Sequence, residues 1–309
     1  MVPMILLTIS LILTLAGFLS AHAWIFDLAA HFRLQYLVLQ VLCITLFIFK
    51  KRWGWLSVTL FAVFLNMLVI LPLFMPSPQN QTPTHHSKKI SILLINLNSS
   101  NNEFSKVAQC IQQKNPDILA LEEINSKWLS HLDSILKQYP YHTALPREDN
   151  FGIGLYSKIP ADDMKIVYFG PVEIPSIIAQ YNFGQPATIL FTHPVPPGSL
   201  KYYKWRNEQL KDIASNRHQF NPSFINVGDL NTTSWSYHFQ RFAKAMGLRD
   251  TRKGFGTKMT WPAMLPIMGI TIDHVLVSPN ITVLDHKVGP DIGSDHYPVF
   301  VELEINNNP

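Results

Sequence analysis

The first 75 residues constrain this chain most. Three apolar runs, about 4–24, 34–49 and 54–75, follow one another with only five formal charges among them: Asp27, Arg33, Lys50, Lys51 and Arg52. A helix needs ~20 apolar residues to cross the hydrocarbon core of a bilayer. The first and third runs have that length, and the second reaches it if Phe32 and Arg33 join it. The alternative, a set of buried core helices, needs more polar surface than these residues offer. The reading is an integral membrane protein with an N-terminal bundle of about three transmembrane helices, whose partner is the lipid bilayer. Basic loops stay cytoplasmic, so Lys50-Lys51-Arg52 places the N-terminus inside and everything after the third run on the periplasmic or extracellular side. Ala21-His22-Ala23 has the small-residue pattern of a signal-peptidase site, but no basic segment precedes the apolar stretch, which favours a retained helix. Cleavage would leave a two-helix hairpin with the same side outside.

Residues 76–89, rich in Pro and small polar side chains, read as an extended linker, and His85-His86 within it as solvated rather than metal-binding. The body, 90–309, is ordinary in composition. Removing the four basic and one acidic side chains of the head from the chain's 25 Lys+Arg and 21 Asp+Glu leaves 21 and 20 for residues 76–309. That near-neutral balance excludes a protein built to coat nucleic acid, though not a nuclease with a local basic groove. The two cysteines, Cys43 in an apolar run and Cys110 in a helical stretch, support neither a disulfide framework nor a thiolate zinc site.

Within the body, apolar runs at 90–97, 118–121, 152–157, 187–192, 224–227, 271–277 and 297–304 read as strands. Amphipathic stretches at 104–115, 126–137, 201–217 and 237–245 read as helices. This alternation means an α/β body, and short turns between some strands predict sheets that are not wholly parallel. Polar residues recur at the strand ends: Asn96, Glu122-Glu123, His193, Asp229 with Asn231, Asp273, and Asp295-His296 before the last strand. Singly, each has an ordinary structural use as a cap, a turn or a buried histidine. Together they combine hard oxygen donors with an Asp–His pair and no thiols, which suits Mg²⁺, with Mn²⁺ as the alternative.

The order Asn96, Glu123, His193, GDLN (228–231), Asp273 and SDH (294–296) resembles the endonuclease/exonuclease/phosphatase superfamily, which includes pancreatic-type deoxyribonucleases, abasic-site endonucleases, bacterial sphingomyelinases and inositol-polyphosphate phosphatases. The segments DNFGIGLYSK and MTWP fit the same pattern, and the likeness spans about 90–304. It implies a four-layer α-β-β-α sandwich of two packed mixed β-sheets, with the catalytic domain over 90–309. It also implies that Glu123 holds Mg²⁺ with Asn96 and Asp295, Glu122 being the alternative ligand. Asp229 and Asn231 would orient the attacking water and the scissile phosphate, His296 would be the general base oriented by Asp273, and His193 the second imidazole. Asn150 is a further candidate for phosphate contact, beside a plain turn role. The apolar head followed by this domain is similar to the membrane-anchored bacterial branch that includes the VanJ-type glycopeptide-resistance protein, thought to act on envelope lipid phosphates.

The reading that follows is a Mg²⁺-dependent phosphoesterase acting outside the cytoplasm on a phosphate ester or anhydride, lipid-linked in the first case. The alternatives are an extracytoplasmic nuclease, with nucleic acid as partner, and a non-catalytic binding module. Asn231-Thr232-Thr233 is also a glycosylation acceptor pattern, and a sugar there would block the site, which favours a bacterial inner or plasma membrane. His274, next to Asp273 on a strand, points to the opposite face and reads as structural. Tyr202, Tyr203 and Trp205 read as helix packing, with a lipid- or base-contacting rim as the alternative.

Overall fold

Strand β1 (Lys88–Asn96) is apolar on both faces, the pattern of a strand covered on two sides. A computed structural model, which describes residues 1–75 and 87–306, shows the cover on each side. After β1 come β2 (Ile118–Glu122), β3 (Tyr141–Leu145), β4 (Ile153–Ser157), β5 (Asp163–Tyr168) and β6 (Pro175–Asn182). Then follow β7 (Pro186–Thr192), β8 (Ser223–Asp229), the two-residue β9 (Arg249–Asp250), β10 (Asp273–Val277), β11 (Ile281–Val288) and β12 (Val299–Ile305). They form two six-stranded sheets, ordered β11-β12-β1-β2-β4-β3 and β5-β6-β7-β8-β10-β9. In each sheet one central pair is parallel, β1 with β2 and β7 with β8, and the other pairs are antiparallel, so both are mixed.

The period-2 alternation of side chains sorts each strand between two cores. Ile92, Leu94, Ala120, Ile189, Val227, Val275 and Val301 point inward and join the sheets. Leu93, Ile95 and Leu119 point outward under the helix carrying Val107 and the one carrying Trp128. Leu190, Phe224 and Leu276 do the same on the second sheet, under Leu210, Phe239 and Phe242. The result is the four-layer sandwich, with strands β3, β5, β6, β9 and β11 added to those read from the sequence. Strands β3 and β5 lie at sheet edges and are only partly buried, which weakens their apolar pattern. Residues 76–86 of the expected linker, with His85-His86, lie outside the described residues, and Lys88 and Lys89 already pair with Ile305 and Glu304 in the sheet.

The head consists of α1 (Val2–Phe18), the short α2 (Trp24–Ala30), α3 (Arg33–Phe49) and α4 (Trp53–Ile70). One helical stretch, Trp53–Leu73, is long and apolar enough by itself to cross a membrane; α2 and α3 pass that test only as a pair bent by 63°, and α1 has 17 residues. The continuous helix expected over 4–24 does not form. It stops at Phe18, and Ala23 is extended at the start of α2, because Ser20 accepts the Tyr237 amide and Asp27 is drawn into the body. The bundle interior is mixed: Leu7, Cys43, Phe47 and Ala62 form a small apolar cluster, and a polar network lies beside it. Gln40 and Asn66 hydrogen-bond Thr14, Asn66 also donates to Gln40, and Arg33 donates to the Thr14 carbonyl. Ile5, Ile9, Ile12, Val38, Leu42 and Phe64 face outward and stay exposed.

The body's helices are α5 (Phe104–Lys114), α6 (Ser126–Leu136), α7 (Leu200–Ser215) and α8 (Tyr237–Met246). Asn125, Ser199 and Ser236 cap the last three, each accepting a first-turn amide.

Candidate active site at one end of the sandwich

Inward parity, followed to the strand ends, builds the site. Ile90, Ile92 and Leu94 face the inter-sheet core, so Asn96 does too; Ile118 and Ala120 lead to Glu122, Ile189 and Phe191 to His193, Ile225 and Val227 to Asp229. Strand β10 runs antiparallel to β8, so its first residue, Asp273, lies directly across from Asp229, and Val275 and Val277 share its face. These side chains therefore top the inter-sheet core at one edge, all buried. The loop before β12 brings His296 to the same edge. His274 turns the other way, onto the Thr232 carbonyl and the Phe239 ring.

The centre is tight. His296 Nδ1 lies 2.9 Å from Asp273 Oδ2, and its Nε2 faces Asp229 Oδ2 at 3.8 Å. His193 Nε2 approaches the same Asp229 oxygen at 3.7 Å, and its Nδ1 is buried without a hydrogen-bond partner. Asp229 Oδ1 accepts the Asn231 amide at 2.7 Å, a turn that Asn231 closes at φ 50°. The Asn231 side chain donates to the Pro194 carbonyl, locking it beside the strand end that carries His193.

The electrostatics separate the two imidazoles. Burial pulls His193 down to about 4, and the His296 charge acts the same way. Burial also opposes charge on His296, but the Asp273 carboxylate beside it, with Asp229 and Asp295, overrides this and pushes it up to about 10. Burial and the Asp273 charge raise Asp229 to about 8. Asp273 itself is held below the usual carboxylate range by His296, against the effect of burial.

The two adjacent glutamates part company. Glu122 points inward, accepts the Asp229 amide at 2.9 Å, and is raised well above its ordinary range by burial and by the charges of Asp229 and Asp273. Glu123 takes a left-handed backbone, φ 57°, which breaks the strand alternation and turns it toward the β1 end, where it accepts the Ser99 amide at 3.0 Å. Burial raises it, and the Asp295 charge adds to that. Asp295 accepts from Asn98 Nδ2 at 2.7 Å and from Trp261 Nε1 at 3.1 Å. Asn150 meets the site at one remove, accepting the Ser99 hydroxyl at 2.6 Å. Sequence reasoning did not single out Asn98, Ser99 or Trp261. The signal for Glu122 was the parity with Ile118 and Ala120, and that for Trp261 was the MTWP segment; Asn98 acts across 197 residues of separation and leaves no local pattern.

Among the described residues, one group of three acidic or imidazole side chains brings its ligand atoms within 4.8 Å of one another: Asp229, Asp273 and His296. The donors named from the sequence, Asn96, Glu123 and Asp295, adjoin it. The donor set fits a hard divalent cation. Carboxylates gather without thiols, burial raises three of them, and Glu122 Oε2 is buried with no hydrogen-bond partner. A cation is the group that relieves such crowding.

An α-β-β-α sandwich with acidic and imidazole side chains converging at the strand ends defines a class of layered phosphoesterases. The chain belongs to the endonuclease/exonuclease/phosphatase family, whose sequence profile matches residues 93–296. Its members are phosphoesterase hydrolases that generally depend on divalent metal. No curated relative matches the sequence. Solved structures share the fold at low identity. An endonuclease/exonuclease/phosphatase from Beutenbergia cavernae matches at 17% identity and TM-score 0.57, covering 71% of this chain and 72% of that one. TDP2 of D. rerio, solved with a single-strand DNA product, matches at 17% and 0.59, covering 70% and 99%. The human Nocturnin catalytic domain, solved with bound sulfate, matches at 16% and 0.59, covering 73% and 97%.

Proposed function

We propose that this chain is a membrane-anchored, Mg²⁺-dependent phosphoesterase that hydrolyses a phosphate ester or anhydride, lipid-linked, on the outer side of a bacterial membrane, as in the VanJ-like branch. The observation that carries the hydrolytic part is the Asp273–His296–Asp229–His193 constellation. One imidazole has its Nδ1 tied to a carboxylate and a second lies on the far side of Asp229. Glu123, Asp295 and Asn96 would hold the metal, which when bound supplies a Lewis acid for the phosphoryl oxygens. Asp273 orients His296 and stabilises its charge, and His296 moves the proton of the attacking water. Asp229, held by the Asn231 amide and the turn behind it, positions that water. His193, neutral and enclosed, hydrogen-bonds the phosphate or its leaving group, and Asn150 borders the phosphate through Ser99.

The membrane part is supported by the exposed apolar surface of the head. Most of Trp53–Leu73 is exposed, whereas the core helix of a soluble protein is mostly buried. Beside the apolar cluster of Leu7, Cys43, Phe47 and Ala62, the bundle interior carries amides, hydroxyls and Arg33 that bond between helices, as in helices that pack in lipid. The body bonds to one end of the bundle, through residues 20–35 and Leu73, while Lys50-Lys51-Arg52 lies at the other. Head 1–75, linker 76–89 and catalytic domain 90–309 are the proposed divisions.

The test is hydrolysis by the full chain in nanodiscs, with Mg²⁺ and with EDTA, of a polyprenyl diphosphate, sphingomyelin, a phosphoinositide, plasmid DNA and RNA. Turnover of a lipid phosphate that EDTA abolishes, and that Asp229→Ala and His296→Ala each reduce by about 10²-fold or more, is expected. Turnover of nucleic acid alone would assign a nuclease. No turnover together with no Mg²⁺ binding in calorimetry would leave a binding module.

A further inference from the structure

Apolar side chains on the surface of the body are not scattered. Among the described residues from 87 on, eleven large apolar or tyrosine side chains are exposed, and eight of them sit on three segments: Leu200 and Tyr202, Tyr237, and five residues of the 259–269 loop. Each segment is bonded to the same end of the head. Trp24 Nε1 donates to the Pro197 carbonyl just before Leu200, the Tyr237 amide donates to Ser20, and Gln35 Nε2 donates to the Gly269 and Ile267 carbonyls at 2.8 and 3.3 Å. Gln35 is the third residue of α3, so the loop lies within one turn of the outer end of a span. At that height stand Met264 and Ile267, 88% and 79% exposed, with Leu265 and Met268 beside them.

The same loop is rooted in the active site. Trp261 at its start donates to Asp295 Oδ2, the Ala263 amide donates to the Asp295 carbonyl at 2.8 Å, and Thr260 Oγ1 accepts the Asp273 amide. On the opposite side of Asp229, Thr233 of the GDLN turn bonds His31 of the head at 3.0 Å. These two ties join the catalytic edge to the bundle.

We propose that the 259–269 loop is a membrane-inserting element: Met264, Leu265, Ile267 and Met268 enter the outer leaflet and hold the catalytic edge at headgroup height. The occupant of this apolar surface is the acyl region of the bilayer that the head spans. The argument is continuity: the loop continues, at the level of Gln35, the exposed apolar surface of the spans, and Tyr202 and Tyr237 on the neighbouring segments are the amphipathic rings that suit the interface. The inference rests on the reading of the head as membrane-spanning and of the body as a phosphoesterase. It adds that the enzyme takes substrates whose phosphate is fixed in that leaflet and reaches the site by lateral diffusion.

The experiment uses the full chain in nanodiscs, with Ile267→Cys or Met264→Cys carrying an environment-sensitive fluorophore; Cys43 and Cys110 are buried and stay unlabelled. A label at Lys137→Cys, on the far helical layer, is the control. Lipids brominated in the acyl chain are expected to quench the labels at 264 and 267 at least twofold and leave 137 unchanged. Equal quenching at all three positions, or none at 264 and 267, would overturn insertion whether or not the protein hydrolyses anything. In a second arm, Met264→Asp/Ile267→Asp is expected to lower hydrolysis of a vesicle-borne polyprenyl diphosphate at least tenfold and leave hydrolysis of soluble bis(p-nitrophenyl) phosphate unchanged. Unchanged hydrolysis of both would overturn the link to substrate access, and equal loss of both would mark the loop as structural.

Discussion

Gly228 shows how little freedom the residues of the candidate site have. Its φ of 145° lies in a region side chains rarely adopt, and a Cβ there would stand 2.0 Å from the Thr192 carbonyl oxygen. That close approach brings the end of β7, with His193, against the end of β8, with Asp229. Next to it, His296 is charged across the neutral range because Asp273 lies beside it. As the proposed base it must first lose that proton. A raised folded pKa keeps the protonated form below about 10, so the active neutral form grows as pH rises. The expected kcat/KM profile for bis(p-nitrophenyl) phosphate at fixed Mg²⁺ therefore climbs from neutral into the alkaline range. His193, held near 4, adds no limb there. Asp273→Asn removes the main group that raises His296, so the climbing limb should move to lower pH while the maximum falls by about 10²–10⁴-fold. A limb that stays in place would belong to another group. At this scale the sequence was informative wherever strand parity held: Asn96, His193, Asp229 and Asp273 all follow from apolar residues two and four positions away. Parity alone does not place Glu123, which the family resemblance favoured over Glu122, because its direction depends on one left-handed residue at a strand end.

Elements hold the site by pairing, and the weakest element carries a buried ion pair. Strand β9 has two residues, yet Asp250 on it meets Arg252 at 2.6 Å with both side chains buried. Burial alone would raise the Asp250 carboxyl; the Arg252 guanidinium overrides it and holds the group down at about 2. A depressed folded pKa gives stability that is fully present above the unfolded value, near 4, and is lost as pH falls from there toward 2. The size is about 2 kcal/mol, from the shift and 1.36 kcal/mol per unit. Urea unfolding of the full chain between pH 5 and 2.5 should show this loss. Asp250→Asn should remove that part of the pH dependence and cost about 3–5 kcal/mol at neutral pH, because Arg252 stays buried and unpaired. The helices and central strands were legible because each carries its own period. The edge strands β3 and β5 were not, since partial exposure dilutes the alternation, and β9 is too short to have one.

At the scale of the molecule, the head and the body share one polar core, which no local pattern announces because its partners lie about 180 residues apart in sequence. Asp27 and Arg206, both 0% exposed, pair at 2.7 Å; Arg206 also donates to the Asn231 carbonyl at 2.8 Å, and Asp27 accepts the Ser236 hydroxyl. A side chain of the head thus fixes an arginine that fixes the turn behind Asp229. Leu73 accepts the amides of Gly254 and Gly256 at a second point. Cutting the chain after residue 87 leaves Arg206 without its carboxylate at an opened face. The separated body should melt lower than the full chain and turn over soluble bis(p-nitrophenyl) phosphate more slowly. Full-length Asp27→Asn should reproduce the slower turnover with the whole head in place, and destabilise by about 3–5 kcal/mol through the unpaired guanidinium. Asp27→Leu with Arg206→Met should recover most of that stability, since apolar replacement of a buried pair is often neutral. It should not recover turnover, because replacing Arg206 takes the donor from the Asn231 carbonyl. That split between stability and rate separates a head that positions the catalytic turn from one that only tethers it. A separated body as stable and as active as the whole chain would establish the tether.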